Sequence, residues 1–324
     1  MKTVSTTRRA ILLGSFAATL GVSYAADAQT GITRIIVGFP PGGTLDFVAR
    51  VIAQPLGKEL GQSVIVENRA GANGAIAADY VSRSPDASTL WLTSVGAVAI
   101  SPALNPKLPY DPERDLVPLS LVVRNVEALV VAPISPYKTG ADLVAAARKP
   151  NARLTMASSG VGSVPHLAVE LLNDVGKLNI LHVPYKGGAP ALTDVMGGQV
   201  DGYFSDIPGV IAFIQSGKVR PIGVTSSRRH PLLPDVKTFD EMGLPGVDAD
   251  NWNALFAPKA TSAADVARIN AALRRVLAMP AVKEQLEASG AQPAPSTPAE
   301  LATLLKNDRA KWGRVIKAKN IKAD

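Results

Sequence analysis

The sequence predicts an α/β protein of two lobes. Short apolar runs of strand length alternate with longer stretches of helical periodicity, the pattern of βαβ units around a largely parallel sheet. The alternation starts twice, near residue 34 and again near residue 128. The 324 residues also exceed what one small core holds, whereas two cores of ordinary domain size account for them.

The amino terminus stands apart. Met1-Lys2 and Arg8-Arg9 precede an apolar run from Ala10 to Val22, and Ala26-Asp27-Ala28 has the small-x-small form of a signal-peptidase site. Cleavage is expected after Ala28, leaving a periplasmic protein. The apolar run is shorter than the roughly 20 residues of a bilayer-spanning helix, and no later run reaches that length. Arg8-Arg9 with the following Ala-Ile-Leu-Leu has the look of a twin-arginine signal, which an ordinary n-region with two arginines shares.

Arg34–Phe39 then reads as a strand, Asp46–Leu60 as a helix that Pro55 should kink, and Ser63–Glu67 and Thr89–Thr93 as further strands, the last followed by Ser94. The second series has strand Ala128–Ala132, helix Gly140–Arg148, strand Arg153–Ala157, a helix with Pro165 in its first turn, strand Ile180–Val183, a helix from Ala191 and strand Arg220–Val224. The tail is helical. Ser262 caps a helix with Val266, Ile269, Leu273 and Val276 on one face, and Thr297-Pro298-Ala299-Glu300 is a capping box with proline at the first helical position. Leu301, Leu304, Leu305, Trp312, Val315 and Ile316 recur at helical spacing and form a core-facing stripe. With no fixed-period repeat and no low-complexity linker, short crossings should join the lobes.

The formal net charge of +7 falls to +5 once Lys2, Arg8, Arg9 and Asp27 are removed with the signal segment. Such a mild bias favours anionic ligands. It lacks the basic runs with interleaved aromatics of a nucleic-acid protein, and Ser226–His230 and the basic C-terminal helix read as solvated faces. The absence of cysteine excludes disulfides and thiolate chemistry. His166, His182 and His230, the only histidines, have no metal-ligand spacing, so neither a metal nor a cofactor is expected.

Chemistry concentrates in the loops. After the first strand, Pro40-Pro41-Gly42-Gly43-Thr44-Leu45-Asp46 opens a helix: glycines admit a ligand to the backbone, and the free N–H groups of a first helical turn favour an anion. A tight turn capped by Thr44 or Asp46 reads the same residues equally well. The arrangement recurs at Ser158-Ser159-Gly160-Val161-Gly162-Ser163 before the helix carrying His166, so two polar helix N-termini, one per lobe, can grip one carboxylate across a cleft. A third loop, Pro184-Tyr185-Lys186-Gly187-Gly188, offers Tyr185 as a wall and Lys186 as a charge partner.

Phe39–Asp46, Val66–Gly74, His182–Gly188, Gly197–Asp201 and Leu233–Val236, in this order, resemble the signature blocks of the Bug receptors of tripartite tricarboxylate transporters. The resemblance runs from about residue 32 to the C-terminus. It implies the type II periplasmic-binding-protein fold, two α/β lobes with a ligand cleft between them that closes on the ligand. The crossings then fall near Arg124–Ala128 and Asp250–Asn253, one lobe comprising residues 29–126 and 253–324 and the other 127–252. It also implies a monomeric receptor for a small carboxylate, held by Pro41, Gly42, Gly43, Thr44, Asp46, Ser94, Ser158, Ser159, Gly160, Gly162, Ser163, His166, Tyr185, Lys186 and Gly187. Its partners would be the permease subunits of a tripartite transporter or a sensor protein. Two positions depart from the family: Ala87 replaces a usual glycine, and Asp206 stands near the cleft where an amide is common, where it would repel a second carboxylate or pair with a ligand amine, disfavouring a tricarboxylate and leaving aromatic acids, amino acids and dicarboxylates open. A hydrolase built on Ser158, Ser159 and His166 is the rival class, but no Gly-x-Ser-x-Gly elbow is present.

Overall fold

The computed structural model describes residues 31–322 apart from Pro106 and Asp250; the expected signal segment and its cleavage point lie outside the described residues. In chain order the elements are β1 (Ile32–Val37), α1 (Thr44–Leu60), β2 (Ser63–Asn68), α2 (Ala75–Ser82), β3 (Thr89–Ser94), α3 (Ser101–Leu104), α4 (Pro112–Asp115), β4 (Leu116–Asn125), β5 (Glu127–Val131), α5 (Gly140–Ala147), β6 (Thr155–Ser158), α6 (Val164–Gly176), β7 (Leu181–Pro184), α7 (Gly188–Met196), β8 (Gly202–Asp206), α8 (Ile207–Gln215), β9 (Arg220–Val224), β10 (Asn251–Pro258), α9 (Ala263–Ala278), α10 (Pro280–Ser289), β11 (Gln292–Pro293) and α11 (Pro298–Lys319). A π-turn at Gly96–Ile100 leads into α3.

Two sheets carry the two lobes, in the orders β11-β4-β10-β3-β1-β2 and β7-β6-β8-β5-β9. The chain passes from the first to the second at Val126 and re-enters the first at Asn251, which lies opposite Asn125 in the β4–β10 ladder. Neither sheet is largely parallel. β1 pairs in parallel with β2 and β3, and β6 with β7 and β8, but β5 and β10 run against both their neighbours. The βαβ strands run towards the region between the sheets, whereas β5 and β10 start there and run away from it. Apolar periodicity reports a strand but not its direction, which is why these reversals are not legible from residue pattern alone.

Side-chain alternation sorts the core as period-2 strands require. Ile35, Val37, Leu90 and Leu92 face α1, α9 and α10, while Ile36 and Trp91 face the opposite way, towards α2 and α11. In the second sheet Ala128, Val130 and Tyr203 pack with α7 and α8, whereas Leu129, Val131 and Phe204 face α6. One apolar cluster joins the lobes: Val164 and Leu167 of α6 belong with Val98 and Ile100 of the π-turn.

The helix ends follow from local chemistry. Thr297 and Glu300 form the expected capping box of α11, Ser262 caps α9, and Thr139 and Asp142 make a further box at α5. α1 runs through Pro55 as one helix and starts at Thr44, two residues before its expected first residue. α7 starts at Gly188, ahead of the expected Ala191, because Pro190 falls in its first turn, where no intrahelical N–H is lost.

Candidate ligand-binding site

The β1–α1 loop is fixed from below. Gly42, at φ +90°, donates its N–H to Asp46 Oδ2 (3.0 Å), and Arg50 grips the same carboxylate through Nε (3.0 Å) and Nη2 (2.9 Å). Asn68 ties Asp46 Oδ1 to the Phe39 carbonyl, at 3.0 Å each. Burial alone would raise the Asp46 pKa, but these hydrogen bonds outweigh it and hold the carboxylate below its ordinary range. Asp46 is thus a brace beneath the loop rather than a wall of the cavity. Thr44 does not cap α1 either: Gly43 occupies the cap with extended backbone and no side-chain bond. The first turn of α1 therefore opens, with its unpaired N–H groups, on a cavity.

The β6–α6 loop is braced by a histidine pair. Ser158, fully buried, lies 2.6 Å from His182 Nε2 and accepts from the Gly160 N–H (3.1 Å). The rings of His166 and His182 stack with centroids 4.0 Å apart, and Gly162 donates its N–H to His166 Nδ1 (3.1 Å). Burial, with a smaller contribution from His182, pushes the His166 pKa down to about 3, so His166 is a neutral acceptor. Ser163 caps α6 by accepting from the His166 N–H (3.3 Å). The π-turn closes on this loop: a Cβ on Gly96 would lie 3.2 Å from the Gly162 carbonyl.

Between the loops lies a cavity of about 240 Å³. Of the residues expected to hold a ligand, Gly42, Gly43, Thr44, Ser94, Ser159, Ser163 and the departure Asp206 line it. The others are placed elsewhere. Pro41 and Asp46 lie on or under the first loop, and Ser158, Gly162 and His166 brace the second. Gly160, Tyr185 and Lys186 line a neighbouring crevice, where the Tyr185 hydroxyl donates to Asp194 (2.6 Å). Gly187, at φ +125°, packs so closely on Pro40 that a Cβ would meet its ring at 2.5 Å. Gly188 and Ala189, the next residues, are the ones that reach the cavity. The side chains of Asp46, Ser158, His166 and Tyr185 are taken up in internal hydrogen bonds, a role that composition and spacing do not distinguish from ligand contact.

The sequence reading missed the apolar wall, Phe39, Leu45, Leu192, Met196 and Phe213, and the polar floor, Tyr203, Ser205 and Asn251. The helical spacing of Leu192 and Met196 on α7 was available as a signal; Asn251 had none, since only the crossing brings it beside Asp206. Among the described residues lining the cavity there is no Lys, Arg or His.

A cavity closed between two mixed sheets, each offering a helix N-terminus, and two chain crossings behind it define a two-lobed solute-binding protein. Residues 48–321 match the profile of the tripartite tricarboxylate transporter family receptors, and the chain belongs to that family. It is 35% identical to the protein BugT of Bordetella pertussis over 316 residues, 96% of this chain and 97% of BugT. MatC from Rhodopseudomonas palustris, solved with bound malate, superposes with a TM-score of 0.84 at 34% identity, covering 89% of this chain and 99% of MatC. An R. palustris protein solved with adipate gives a TM-score of 0.87 at 32% identity over 91% of this chain and 99% of that one. This is a family of transporter receptors, and one solved relative of the same shape, BugD, is a periplasmic binding protein.

Proposed function

We propose that the protein captures a small carboxylate in the cavity between its lobes and delivers it to the membrane permease subunits of a tripartite transporter. The observation that carries this reading is the convergence of two helix N-termini, Gly42–Leu45 of α1 and Ser163–Pro165 of α6, on one cavity whose described lining holds no basic side chain. Anion binding there falls to backbone N–H groups, helix dipoles and the hydroxyls of Ser94, Ser159 and Ser163. The malate and adipate of the two solved relatives support the ligand class. The residues bind without turnover: Ser158, the nucleophile a hydrolase would need, is fully buried behind the loop. Met1–Ala28 acts as the export signal and is removed, and N-terminal sequencing of periplasmic protein should begin at Gln29.

A thermal-shift screen of ligand-stripped protein against carboxylates and the amides of the same acids tests this reading. An acid at about a hundred times its Kd should add roughly 2.7 kcal/mol of stability while its amide adds none. Equal shifts from acid and amide would refute the anion clamp.

A further inference from the structure

The floor of the cavity carries a feature unlike the rest of its lining. Asp206 is the only acidic residue among the described lining residues, and it ends β8 directly opposite Glu127, the first residue of β5. The Glu127 side chain is entirely buried, and its Oε2 has no hydrogen-bond donor. Asn251, at the other crossing, donates its Nδ2 to Asp206 Oδ1 (2.7 Å) and to Glu127 Oε1 (3.3 Å). Burial and the charge of Asp206 push Glu127 well above the carboxylate range. Burial raises Asp206 as well, and hydrogen bonds from Glu127, Asn251 and Thr44 only partly offset that rise. Asp206 immediately precedes α8, whose N-terminus also favours a negative charge there. Asp206 is the member of the pair that lines the cavity, and a cation there would favour its ionised form.

Asp206 lies next to the anion clamp. Thr44 belongs to both: its N–H is in the first turn of α1, its hydroxyl donates to Asp206, and a Cβ on Gly209 of α8 would touch that hydroxyl at 2.8 Å. A carboxylate on the first turn of α1 and a cation on Asp206 would therefore be neighbours in the cavity. From there Leu192, Met196 and Phe213 continue the wall. A second carboxylate on the ligand would meet Asp206 with no basic side chain to offset it.

We propose that Asp206, steadied by Asn251 and Thr44 and backed by Glu127, is the specificity-determining residue of the cavity and receives an ammonium group, so that the ligand is an α-amino acid with an apolar side chain. This inference rests on the carboxylate clamp and narrows its ligand class.

Calorimetric titration of periplasmic protein, stripped of ligand by unfolding and refolded, tests it. The probes are L-leucine and L-phenylalanine, their desamino counterparts 4-methylpentanoate and 3-phenylpropanoate, the amides of these two acids, and adipate. The amino acids should bind at least about ten-fold more tightly than the desamino acids and adipate, because a site built around a polar partner rejects analogues that lack it. Asp206→Asn should bring the amino acids and desamino acids to nearly equal affinity. A desamino acid or adipate matching the amino acids on the unaltered protein would overturn the proposal whether or not the variant folds, as would a preference surviving in Asp206→Asn. If the desamino acids bind best and their amides do not bind, the carboxylate clamp stands and only this inference falls. If no acid binds, both fall.

Discussion

Gly43 and Gly160 belong to the two corresponding loops but differ in what they tolerate. Gly43 has extended backbone that any residue adopts, and a Cβ there meets nothing within 4 Å. Gly160 sits at φ +136°, and a Cβ would lie 3.3 Å from the Tyr185 carbonyl. The backbone conformation of Gly160 makes a bulky residue there a strain on the loop as well as an obstruction. Gly43→Leu is the cleaner probe. It should keep stability within about 0.5 kcal/mol of the parent, as surface substitutions do, and fill the cavity so that affinity drops at least about ten-fold. Calorimetry and urea melts on the same preparation separate the two effects, and unchanged affinity would remove the α1 N-terminus from the site. The glycines and serines of these loops were legible in the sequence because few residue types suit a close backbone approach. Asp206 was visible only as a departure from the family pattern, since its partners Glu127 and Asn251 are remote in the chain and meet only at the crossings.

Among the elements, the β6–α6 loop is the one most exposed to pH, because two stacked histidines and a serine hold it. An unfolded histidine titrates at about 6.5, whereas in the folded chain His166 titrates at about 3. Between those values the unfolded chain binds a proton that the folded one refuses, so the contribution of His166 is present above about pH 6.5 and is lost as pH falls towards 3. His166→Asn should be less stable than the parent at neutral pH, with the gap narrowing by up to about 1.4 kcal/mol per pH unit on acidification. Urea melts of both proteins at pH 7.5 and pH 5 measure this, and a constant gap would mean that the ring does not hold the loop. Helix ends such as the Thr297–Glu300 box were legible because a cap is written in four consecutive residues. The role of His166 was not, since its stacking partner His182 belongs to another strand.

At the scale of the molecule the shared apolar cluster matters most. Val98 and Ile100 from one lobe pack into the same core as Val164 and Leu167 from the other. The three tryptophans, Trp91 on β3, Trp252 on β10 and Trp312 on α11, all report on the lobe of the first sheet. If the cluster couples the lobes, tryptophan fluorescence and far-UV circular dichroism should trace one coincident urea transition. A second dichroism transition without a fluorescence change would show the lobe of the second sheet melting alone. The two-lobed class followed from the double series of strands and helices, which is local information. The reversed β5 and β10 were illegible because direction is a property of the completed sheet.

The pairing of Asn125 with Asn251 bears on how such a chain could be assembled. Because the two residues that flank the excursion into the second sheet are ladder partners, β4 and β10 are the arms of a hairpin whose loop has grown into a lobe. A two-residue turn in place of that excursion would leave their register intact. On the ribosome the order is reversed: the inserted lobe emerges complete, while the sheet that hosts it waits for β10 to arrive between β3 and β4.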